Sequence, residues 1–513
     1  MNHPIIESTK QRFLVNYVLI FLSTLLIYGI CCAPGYLWQD SGLIQYRTIN
    51  KDITGPFGLA LSHPLYYILS ISLSQSLPQA FPACINLISS FFAALTIANV
   101  YLLVSIWTNA KLPALIASLT LAFSHTFWRN ACIAETYSLW ICLFSFELLF
   151  LLFYIRLNNV KYLHGLAVFN GLAISTHILA IIPLICYTGY LTWLCKNRKI
   201  KPFSLVTILI SWLVASYPYL DLIIQQILQS HDIGASIQSA LFGSNWQDEA
   251  LSLTITRRLF KTSLLYFILN FPTLNACLFL LPLIHMIRNK GNKDSFSIIL
   301  WFLALLFYVF ALRYDVPDRY MFFVPFYFII SMFIGIGAHI LCQSSHFKQL
   351  KTVTIIFSLL PILAYAMVPS AAKQQKIHLN TRADVPYRND YTFFLQPWKT
   401  GYHGAERFAR EALTQADPNA LICADMTTVC PLLLLQQQED LRPDIQIANP
   451  ILGIKINWQS SSQVDQIIKK QALYVVSRKP GYCPASLLDY PMQQKGILWQ
   501  VLPKGQHFMD HQG

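Results

Sequence analysis

Residues 13–42 read FLVNYVLIFLSTLLIYGICCAPGYLWQDSG. The first twenty carry no charge and are mostly apolar, so as a helix they can cross the ~30 Å hydrocarbon core of a bilayer. Directly beyond them, the segment 35–42 holds one carboxylate, Asp40, among aromatic and small residues. An aspartate at a membrane boundary is too short to reach far into water. Asp40 is therefore the first candidate for a functional site.

The composition of the whole chain is that of a polytopic membrane protein. Of its 513 residues, 55% are hydrophobic and 12% are charged, and the mean hydropathy is +0.46. A soluble domain of this length does not bury so much apolar surface. Lys10 and Arg12 precede the first apolar run, and no Ala-x-Ala cleavage site follows it, which predicts a retained helix with a cytoplasmic N-terminus.

Hydropathy predicts eleven membrane-spanning helices. The basic clusters at 156–161, 196–201, 288–293 and 348–351 all fall on the N-terminal side of the membrane, as the positive-inside rule requires. Most of the net charge of +13 follows from this topology, so no nucleic-acid partner is expected. The predicted spans lie near 13–32, 83–107, 112–127, 136–155, 162–177, 178–194, 203–222, 263–287, 295–312, 320–342 and 352–369.

The odd number of spans places everything after residue 369 on the extracytoplasmic side. We therefore expect a transmembrane domain at 1–369 and an extracytoplasmic domain at 370–513. Alternating apolar segments predict a small α/β fold with parallel strands covered by helices. The predicted strands are 420–424, 444–448 and 473–477, and the predicted helices are 407–413 and 429–438. Three cysteines lie in this domain, and their spacing selects no disulfide pair: Cys423, Cys430 and Cys483.

The outer loop 33–82 contains an apolar segment that begins at His63-Pro64 and runs to Leu77. Several serines interrupt it, and counting it as a span would invert the basic loops downstream. We expect an interfacial helix, with Pro64 in the first turn where no N–H is needed. His63 and His177 both lie near the outer face, where either could bind a phosphate or a sugar hydroxyl or serve packing alone.

A second carboxylate, Glu135, begins the fourth predicted span on the outer face. Alone, it could complement the helix dipole, which is worth ~0.3 to 1 kcal/mol. Together with Asp40 and the interfacial helix, it favours a site. Glu147 lies in the middle of the same span and is expected to face the bundle interior or to stay protonated.

Eight short segments form a combined pattern along the chain: Trp38-Gln39-Asp40-Ser41-Gly42, His63-Pro64, Asn86-Leu87-Ile88-Ser89, Phe127-Trp128, Ala134-Glu135-Thr136-Tyr137, Gly171-Leu172 with His177, Asp318-Arg319 with Pro325, and Arg442-Pro443-Asp444. This order resembles the GT-C class of lipid-donor glycosyltransferases. Within that class it is most similar to the family that includes the vertebrate transmembrane O-mannosyltransferase acting on plexin-type receptors. That family usually reads His-Pro-Pro-Gly-Tyr-Pro-Leu where this chain has His63-Pro64-Leu65-Tyr66-Tyr67, a version closer to aminoarabinose transferases. The departure leaves the sugar and the acceptor open.

The resemblance implies transfer of a sugar, with mannose as one candidate, from a polyprenyl-phosphate donor to a hydroxyl of a protein or glycolipid, with inversion. An acceptor hydroxyl must lose its proton as it attacks, and Asp40 is the candidate base, with Glu135 as the second catalytic carboxylate. Near the outer ends of two spans, the candidate substrate-binding residues are Arg313, Asp318 and Arg319. Arg319 is the first choice for the leaving phosphate, and the alternative is an interfacial anchor paired with Asp315 or Asp318.

Other function classes stay open at this point. A transporter or flippase of a polyprenyl-linked or amphiphilic substrate is the main alternative, although the sequence shows no inverted repeat or broken mid-membrane helix. A non-catalytic scaffold would leave Asp40 and Glu135 without a purpose. No cofactor is certain: the two carboxylates could support a divalent metal but define no coordination set. A bacterial cytoplasmic membrane is favoured over the endoplasmic reticulum.

Overall fold

A computed structural model describes residues 4–288, 294–343, 349–377, 379 and 385–504, with side chains from residue 14 onward. The chain forms a helical bundle that carries a small α/β domain at one end, called here the domain-bearing end. The predicted fold class, a helical membrane part followed by a small α/β domain, is confirmed. The bundle helices are α1 (Pro4–Cys31), α2 (Gln39–Ile49), α3 (Pro64–Ser76), α4 (Ala83–Thr108), α5 (Lys111–Ala122), α6 (His125–Ala131), α7 (Thr136–Leu157), α8 (Lys161–Ile174), α9 (Ile181–Lys196), α10 (Pro202–Ala215), α11 (Tyr217–Ser230), α12 (Ile233–Phe242), α13 (Gln247–Leu251), α14 (Arg257–Asn270), α15 (Leu280–Arg288), α16 (Ser295–Arg313), α17 (Val324–Gln343), α18 (Leu350–Leu359) and α19 (Pro361–Gln374).

Within the described ranges, six helices are long and apolar enough to cross a membrane, namely α1, α4, α7, α9, α16 and α17, some extended by a 3₁₀ turn. Three further pairs meet at bends: α10 with α11 at 75°, α14 with α15 at 109°, and α18 with α19 at 42°. Counting each pair as one span gives up to nine. The predicted spans 112–127 and 162–177 correspond to α5 and α8, of 12 and 14 residues. The total of eleven stays a prediction.

All three of these bends fall inside segments that were predicted as continuous helices, namely 203–222, 263–287 and 352–369. Proline lacks an N–H group and disfavours a helical conformation in the residue before it. Phe271 precedes Pro272 and has φ −129° and ψ 70°, which ends α14. Pro218 occupies the first turn of α11, just after the break at Ser216. The prediction that these segments are continuous helices is therefore wrong, whereas the expectation of no broken helix at mid-membrane depth stays a prediction.

The core of the bundle is built from α1, α4, α5, α7 and α17, which pack side by side. Small residues allow the closest approaches. A Cβ atom at Gly335 of α17 would collide with the Pro113 carbonyl of α5, and one at Gly171 of α8 would collide with the Trp212 carbonyl of α10. These contacts fix the helices on which the polar residues of the domain-bearing end are mounted.

The C-terminal domain contains a five-stranded sheet in the order β2-β1-β3-β5-β4. The strands β1, β2 and β3 are parallel, as predicted, whereas the antiparallel hairpin of β4 and β5 was not predicted. Alternate residues face opposite layers: Ile422 and Tyr474 face α21 and α22, while Leu421 and Leu473 face α23. The elements are α20 (Asp390–Leu395), α21 (Gly404–Gln415), β1 (Leu421–Cys423), α22 (Val429–Glu439), β2 (Gln446–Ala448), α23 (Ser461–Lys470), β3 (Leu473–Val475), β4 (Met492–Lys495) and β5 (Leu498–Val501).

The segment that follows α1 packs into the C-terminal domain. Tyr36, Trp38 and Leu43 share a hydrophobic core with α21 and α22, and Trp38 Nε1 donates a hydrogen bond to Tyr402 Oη at 2.6 Å. The same segment is tied to α4, where Asn86 Nδ2 donates to the carbonyls of Ala33 and Gly35. The start of α2, which carries Asp40, is therefore held between bundle and domain. The predicted boundary at residue 369 stays a prediction.

Candidate active site

Asp40 lies in the first turn of α2 beside the buried Ser41, and its own side chain is exposed. Burial by the surrounding protein raises the pKa of Asp40, and the charge of Arg129 acts in the opposite direction. Because water can reach this carboxylate although protein surrounds it, we infer that Asp40 lines a recess in the surface. This recess lies between the bundle and the C-terminal domain, because the Gln39 N–H donates to the Thr427 carbonyl, 3.4 Å away.

Glu135 precedes α7 at the same end of the bundle. Its backbone is fixed by Ser89 of α4, whose Oγ accepts from the Glu135 N–H at 3.1 Å and donates to the Glu135 carbonyl at 3.2 Å. Burial raises the pKa of Glu135 to about 8, helped by the charges of Asp40 and Asp318 and opposed by Arg129. The side chain is half-buried, so it also borders the recess.

Asp318 immediately precedes the 3₁₀ turn that leads into α17. Burial raises the pKa of Asp318 to about 7, and the charge of Asp40 acts in the same direction. The three side chains come from three separate parts of the sequence and interact electrostatically with one another. We call Asp40, Glu135 and Asp318 the carboxylate cluster. The structure thus brings together the two predicted catalytic carboxylates and a predicted substrate-binding residue.

The cation of this cluster is Arg129, to which the sequence reasoning assigned no role. It lies in the last turn of α6 and is buried. Its Nη1 donates to Tyr320 Oη at 3.0 Å, and its guanidinium lies 5.4 Å from the ring centre of Phe393 in the C-terminal domain. In the part of the chain that the structure describes, no atom accepts a hydrogen bond from its buried Nε. The sequence pattern that could have indicated this role is the position of Arg129, six residues before Glu135 on the outer face.

His63 and His177 form a pair whose ring centres are 5.3 Å apart. His63 Nδ1 lies 2.8 Å from the Thr176 carbonyl, and because a carbonyl only accepts, Nδ1 carries the proton. Burial lowers the pKa of His63 to about 4. The hydrogen bond to the Thr176 carbonyl raises this pKa, and the charge of Arg47 lowers it further. The ring is therefore neutral near pH 7, and its Nε2 is a hydrogen-bond acceptor.

The second ring of the pair has the opposite tautomer. His177 Nδ1 accepts from the Leu179 N–H at 3.2 Å, and burial, together with His63, lowers the pKa of His177 well below its usual value. A neutral His177 therefore carries its proton on Nε2 and can donate. Its ring stacks on Trp140 at 5.0 Å and lies 4.8 Å from Tyr137. Tyr137 follows Glu135 by two residues, so the pair adjoins the carboxylate cluster.

The two arginines that were predicted to bind substrate both make contacts within the protein, and their predicted role stays a prediction. Arg319 is buried, and its Nη1 and Nη2 both donate to the Leu259 carbonyl at 3.2 Å. Nη1 also donates to Ser263 Oγ and the Leu312 carbonyl, and Nη2 to Thr262 Oγ1. Asp315, one of its two proposed ion-pair partners, forms a salt bridge with Arg258.

Arg313 also binds backbone carbonyls. Its Nη1 donates to the carbonyls of Ala250 and Ser252, which fastens the end of α13 to α16. Phosphate binding by Arg313 or Arg319 would have to break hydrogen bonds that already stabilise the packing of the helices.

Glu147 lies apart from the cluster, fully buried in the middle of α7. Its Oε1 accepts from Asn170 Nδ2 at 3.3 Å, and Asn170 Oδ1 accepts from Trp212 Nε1 at 3.0 Å. These hydrogen-bond partners are uncharged, so the neutral carboxylic acid is the form that fits. Glu147 therefore links α7 to α8 and α10.

Metal ligands and disulfides give no further site within the part of the chain that the structure describes. No group of three or more His, Cys, Asp or Glu side chains there has a geometry that could hold a metal ion. The three cysteines of the C-terminal domain are buried and carry free thiols.

The fold and part of the sequence have known relatives. Two crystal structures of ArnT from Cupriavidus metallidurans are similar over 95% of this chain and 98% of theirs. The structure bound to undecaprenyl phosphate gives a TM-score of 0.60 at 13% identity, and the apo structure gives 0.61 at 14%. ArnT is a GT-C glycosyltransferase. The chain therefore has the predicted GT-C fold.

Residues 57–201 match the family model of the protein O-mannosyl-transferase TMEM260 N-terminal domain. The matched range extends from before α3 to just beyond α9, and it includes His63, Arg129, Glu135 and His177 but not Asp40. No curated protein sequence matches the chain significantly. The predicted resemblance is confirmed, and the two comparisons support the predicted class of membrane glycosyltransferases.

Proposed function

We propose that this protein transfers a sugar from a polyprenyl-phosphate donor to a hydroxyl group of a protein, in the recess at the domain-bearing end. The observation that carries the proposal is the carboxylate cluster around Arg129, which places a base and a cation side by side in an accessible recess. The TMEM260 family model supports a protein acceptor and mannose as the candidate sugar. The fold shared with ArnT, solved with undecaprenyl phosphate, supports the donor class.

Asp40 is the proposed general base. The acceptor hydroxyl gives its proton to the Asp40 carboxylate as its oxygen attacks the anomeric carbon. The bond between that carbon and the phosphate oxygen breaks, and its electron pair leaves with the polyprenyl phosphate. Attack from the face opposite the phosphate inverts the anomeric centre. Arg129 keeps Asp40 ionised, while the raised pKa makes this carboxylate a stronger base than a free aspartate.

The other polar groups of the recess have proposed binding roles. With pKa values of about 8 and 7, Glu135 is mostly protonated and Asp318 about half protonated near neutral pH, and each can donate a hydrogen bond to the lipid-linked sugar in its protonated form. His63 Nε2 as acceptor and His177 Nε2–H as donor suit two hydroxyls of one sugar ring. A divalent metal is not required by this assignment, because Arg129 supplies positive charge where the phosphate leaves.

Arg129 is the proposed partner of the leaving phosphate, in place of Arg319. Within the described residues its Nε has no hydrogen-bond partner, whereas both Nη atoms of Arg319 already donate to backbone and hydroxyl oxygens. A guanidinium beside a developing phosphate charge stabilises the transition state most in a site that excludes bulk water.

We place the domain-bearing end on the extracytoplasmic side and the N-terminus in the cytoplasm, because the basic clusters at 156–161 and 196–201, together with Arg288 and Lys351, then face the cytoplasm. This assignment fits a bacterial cytoplasmic membrane and also an endoplasmic reticulum, with the first favoured. A flippase of a polyprenyl-linked substrate remains the second candidate, since the three bent helix pairs are a feature of transporters.

The test uses purified protein in proteoliposomes with a panel of polyprenyl-phosphate sugars, mannose among them, and with protein and glycolipid acceptors. We expect sugar transfer by the wild type and its loss in Asp40→Asn. Asp315→Asn is the matched control, since Asp315 lies at the same end, three residues from Asp318, but pairs with Arg258. Full activity of a folded Asp40→Asn protein contradicts the base assignment. Movement of donor lipid across the bilayer without transfer supports the flippase.

A further inference from the structure

A cleft of about 780 Å³ opens in the C-terminal domain, apart from the recess that holds the carboxylate cluster. One wall is the loop after β3, and the opposite wall is the segment that leads into β4. Trp499 of β5 lies between them. The residues that define its chemistry are Ser477, Arg478, Lys479, Tyr490, Met492 and Trp499.

The position of the cleft follows from the register of the sheet. Neighbouring strands β1 and β3 are parallel, with Cys423 opposite Val475, so both end at the same edge. Ligands of α/β folds commonly bind beyond the carboxyl ends of such strands. The loop after β1 reaches Thr427, whose carbonyl accepts from the Gln39 N–H next to Asp40. The loop after β3 forms the cleft, so cleft and recess lie at the same edge of the sheet.

The cleft has a positive charge and an aromatic surface. The Arg478 guanidinium lies 4.3 Å from the ring centre of Trp499, and Lys504 Nζ lies 4.5 Å from that of Tyr490. Lys479 adds a further cation to the wall. None of the described residues that line the cleft is acidic. Such a lining is complementary to a ligand that carries carboxylates together with apolar or aromatic groups.

The sheet also favours an extended polypeptide as the occupant. Among the described residues, strand β4 stands at the end of the strand order and pairs with β5 on one side only. Its first residue, Met492, is part of the cleft, and Gln493, Gln494 and Lys495 are exposed. A strand at the edge of a sheet can accept an extended peptide through main-chain hydrogen bonds.

We propose that this cleft binds an extended acidic segment of the polypeptide acceptor and thereby presents the neighbouring hydroxyl to Asp40. The proposal rests on the proposed function and adds to it the chemistry by which acceptors are selected. Because the cleft takes no part in the reaction itself, it acts on acceptor binding and leaves the chemical step to the carboxylate cluster.

The experiment measures sugar transfer to synthetic peptides of equal length, each with one threonine and with acidic, neutral or basic flanking residues. We expect the wild type to have its lowest KM for the acidic peptide. Arg478→Glu should raise that KM about tenfold by reversing one ion pair, with little change in kcat, and should favour the basic peptide. Trp499→Ala should also raise KM. Lys455→Glu, an exposed lysine of the same domain outside the cleft lining, is the matched control.

The outcomes separate this proposal from the proposed function. If the wild type transfers sugar to peptides and Arg478→Glu and Trp499→Ala have unchanged KM values, the cleft proposal is wrong and the enzyme assignment stands. A wild type that neither transfers nor hydrolyses any lipid-linked sugar contradicts the proposed function itself. If the variants impair transfer to a glycolipid acceptor while peptide transfer is unaffected, the occupant is a glycolipid and the polypeptide proposal fails.

Discussion

The carboxylates of the recess and the carboxyl group of Glu147 lie in the same helical part of the protein but in opposite surroundings. The recess holds Asp40, Glu135 and Asp318, which interact electrostatically with one another. Arg129 is the arginine beside them. Glu147 is fully buried and bonds to the amide of Asn170. A carboxylate that takes part in a reaction needs charged neighbours and must be accessible to substrate. A carboxylic acid buried between helices keeps neutral partners and serves packing.

The largest expected effect is that of Arg129 in the recess, and Arg319, whose donors are bound to backbone carbonyls, is its comparison. Arg129→Gln removes the cation of the carboxylate cluster, and we expect kcat to fall about 100-fold, as for the loss of one transition-state donor. Arg319→Gln should lower the melting temperature instead, since the Leu259 and Leu312 carbonyls lose their donors. Kinetics and thermal unfolding of both variants in detergent check this. Similar effects of the two variants on kcat at equal stability would remove the distinction between them.

The histidine pair should give a smaller effect at the edge of the recess. His177→Phe keeps the aromatic stacking on Trp140 but removes the Nε2–H donor, so we expect kcat/KM to fall about tenfold, the value of one neutral hydrogen bond to substrate. His63→Asn keeps an acceptor and a residue that tolerates the left-handed backbone at φ +52°. It should retain more activity than His177→Phe. The reverse order would contradict the assigned tautomers.

The pH dependence of stability should also separate the two regions. The folded protein holds protons on Glu135 and Asp318 up to pKa values of about 8 and 7, above the values of the unfolded chain. Their ionisation therefore opposes folding, and the stability present at low pH is lost as the pH rises through 7 and 8. We expect a lower melting temperature at pH 9 than at pH 6, with a weaker dependence in Glu135→Gln. A melting temperature that rises with pH would contradict this.

The smallest effect is expected deep in the bundle. Glu147→Gln replaces a neutral acid by a neutral amide of the same shape and retains an oxygen that accepts from Asn170. We expect a change of less than about 1 kcal/mol in the free energy of unfolding, with transfer activity retained. Thermal unfolding and a transfer assay of the same preparation check both. Loss of activity in a stable Glu147→Gln protein would show that this region takes part in the reaction.

The membrane topology predicted from the sequence was enough to place the main candidate site residues on one face. Counting spans placed Asp40 and Glu135 on one face, and the structure brings them together with Asp318. Pro64 predicted the start of α3, and the periodicity near residues 421 and 473 predicted parallel strands. The proline-linked breaks at Ser216 and Phe271 were also readable from the sequence.

The direction in which a side chain points could not be predicted from the sequence. Arg129 and Arg319 both lie near helix ends on the same face, and only packing shows that Arg319 binds carbonyls of α14 and α16. The hairpin of β4 and β5 turns at Gly496, which has φ +60°. Its strands alternate too briefly for a confident pattern, since each has four residues. The tautomers of His63 and His177 depend on the carbonyl of Thr176 and the N–H of Leu179, contacts that no spacing reveals.

The most direct test of the central claim is a single-turnover measurement with radiolabelled polyprenyl-phosphate mannose bound to purified protein before the peptide acceptor is added. If Asp40 is the base of the carboxylate cluster, Asp40→Asn binds the donor as tightly as the wild type does. Its transfer step is then slower by about 1,000-fold, within the range of general-base effects. An Asp40→Asn protein that transfers mannose at the wild-type rate contradicts the account.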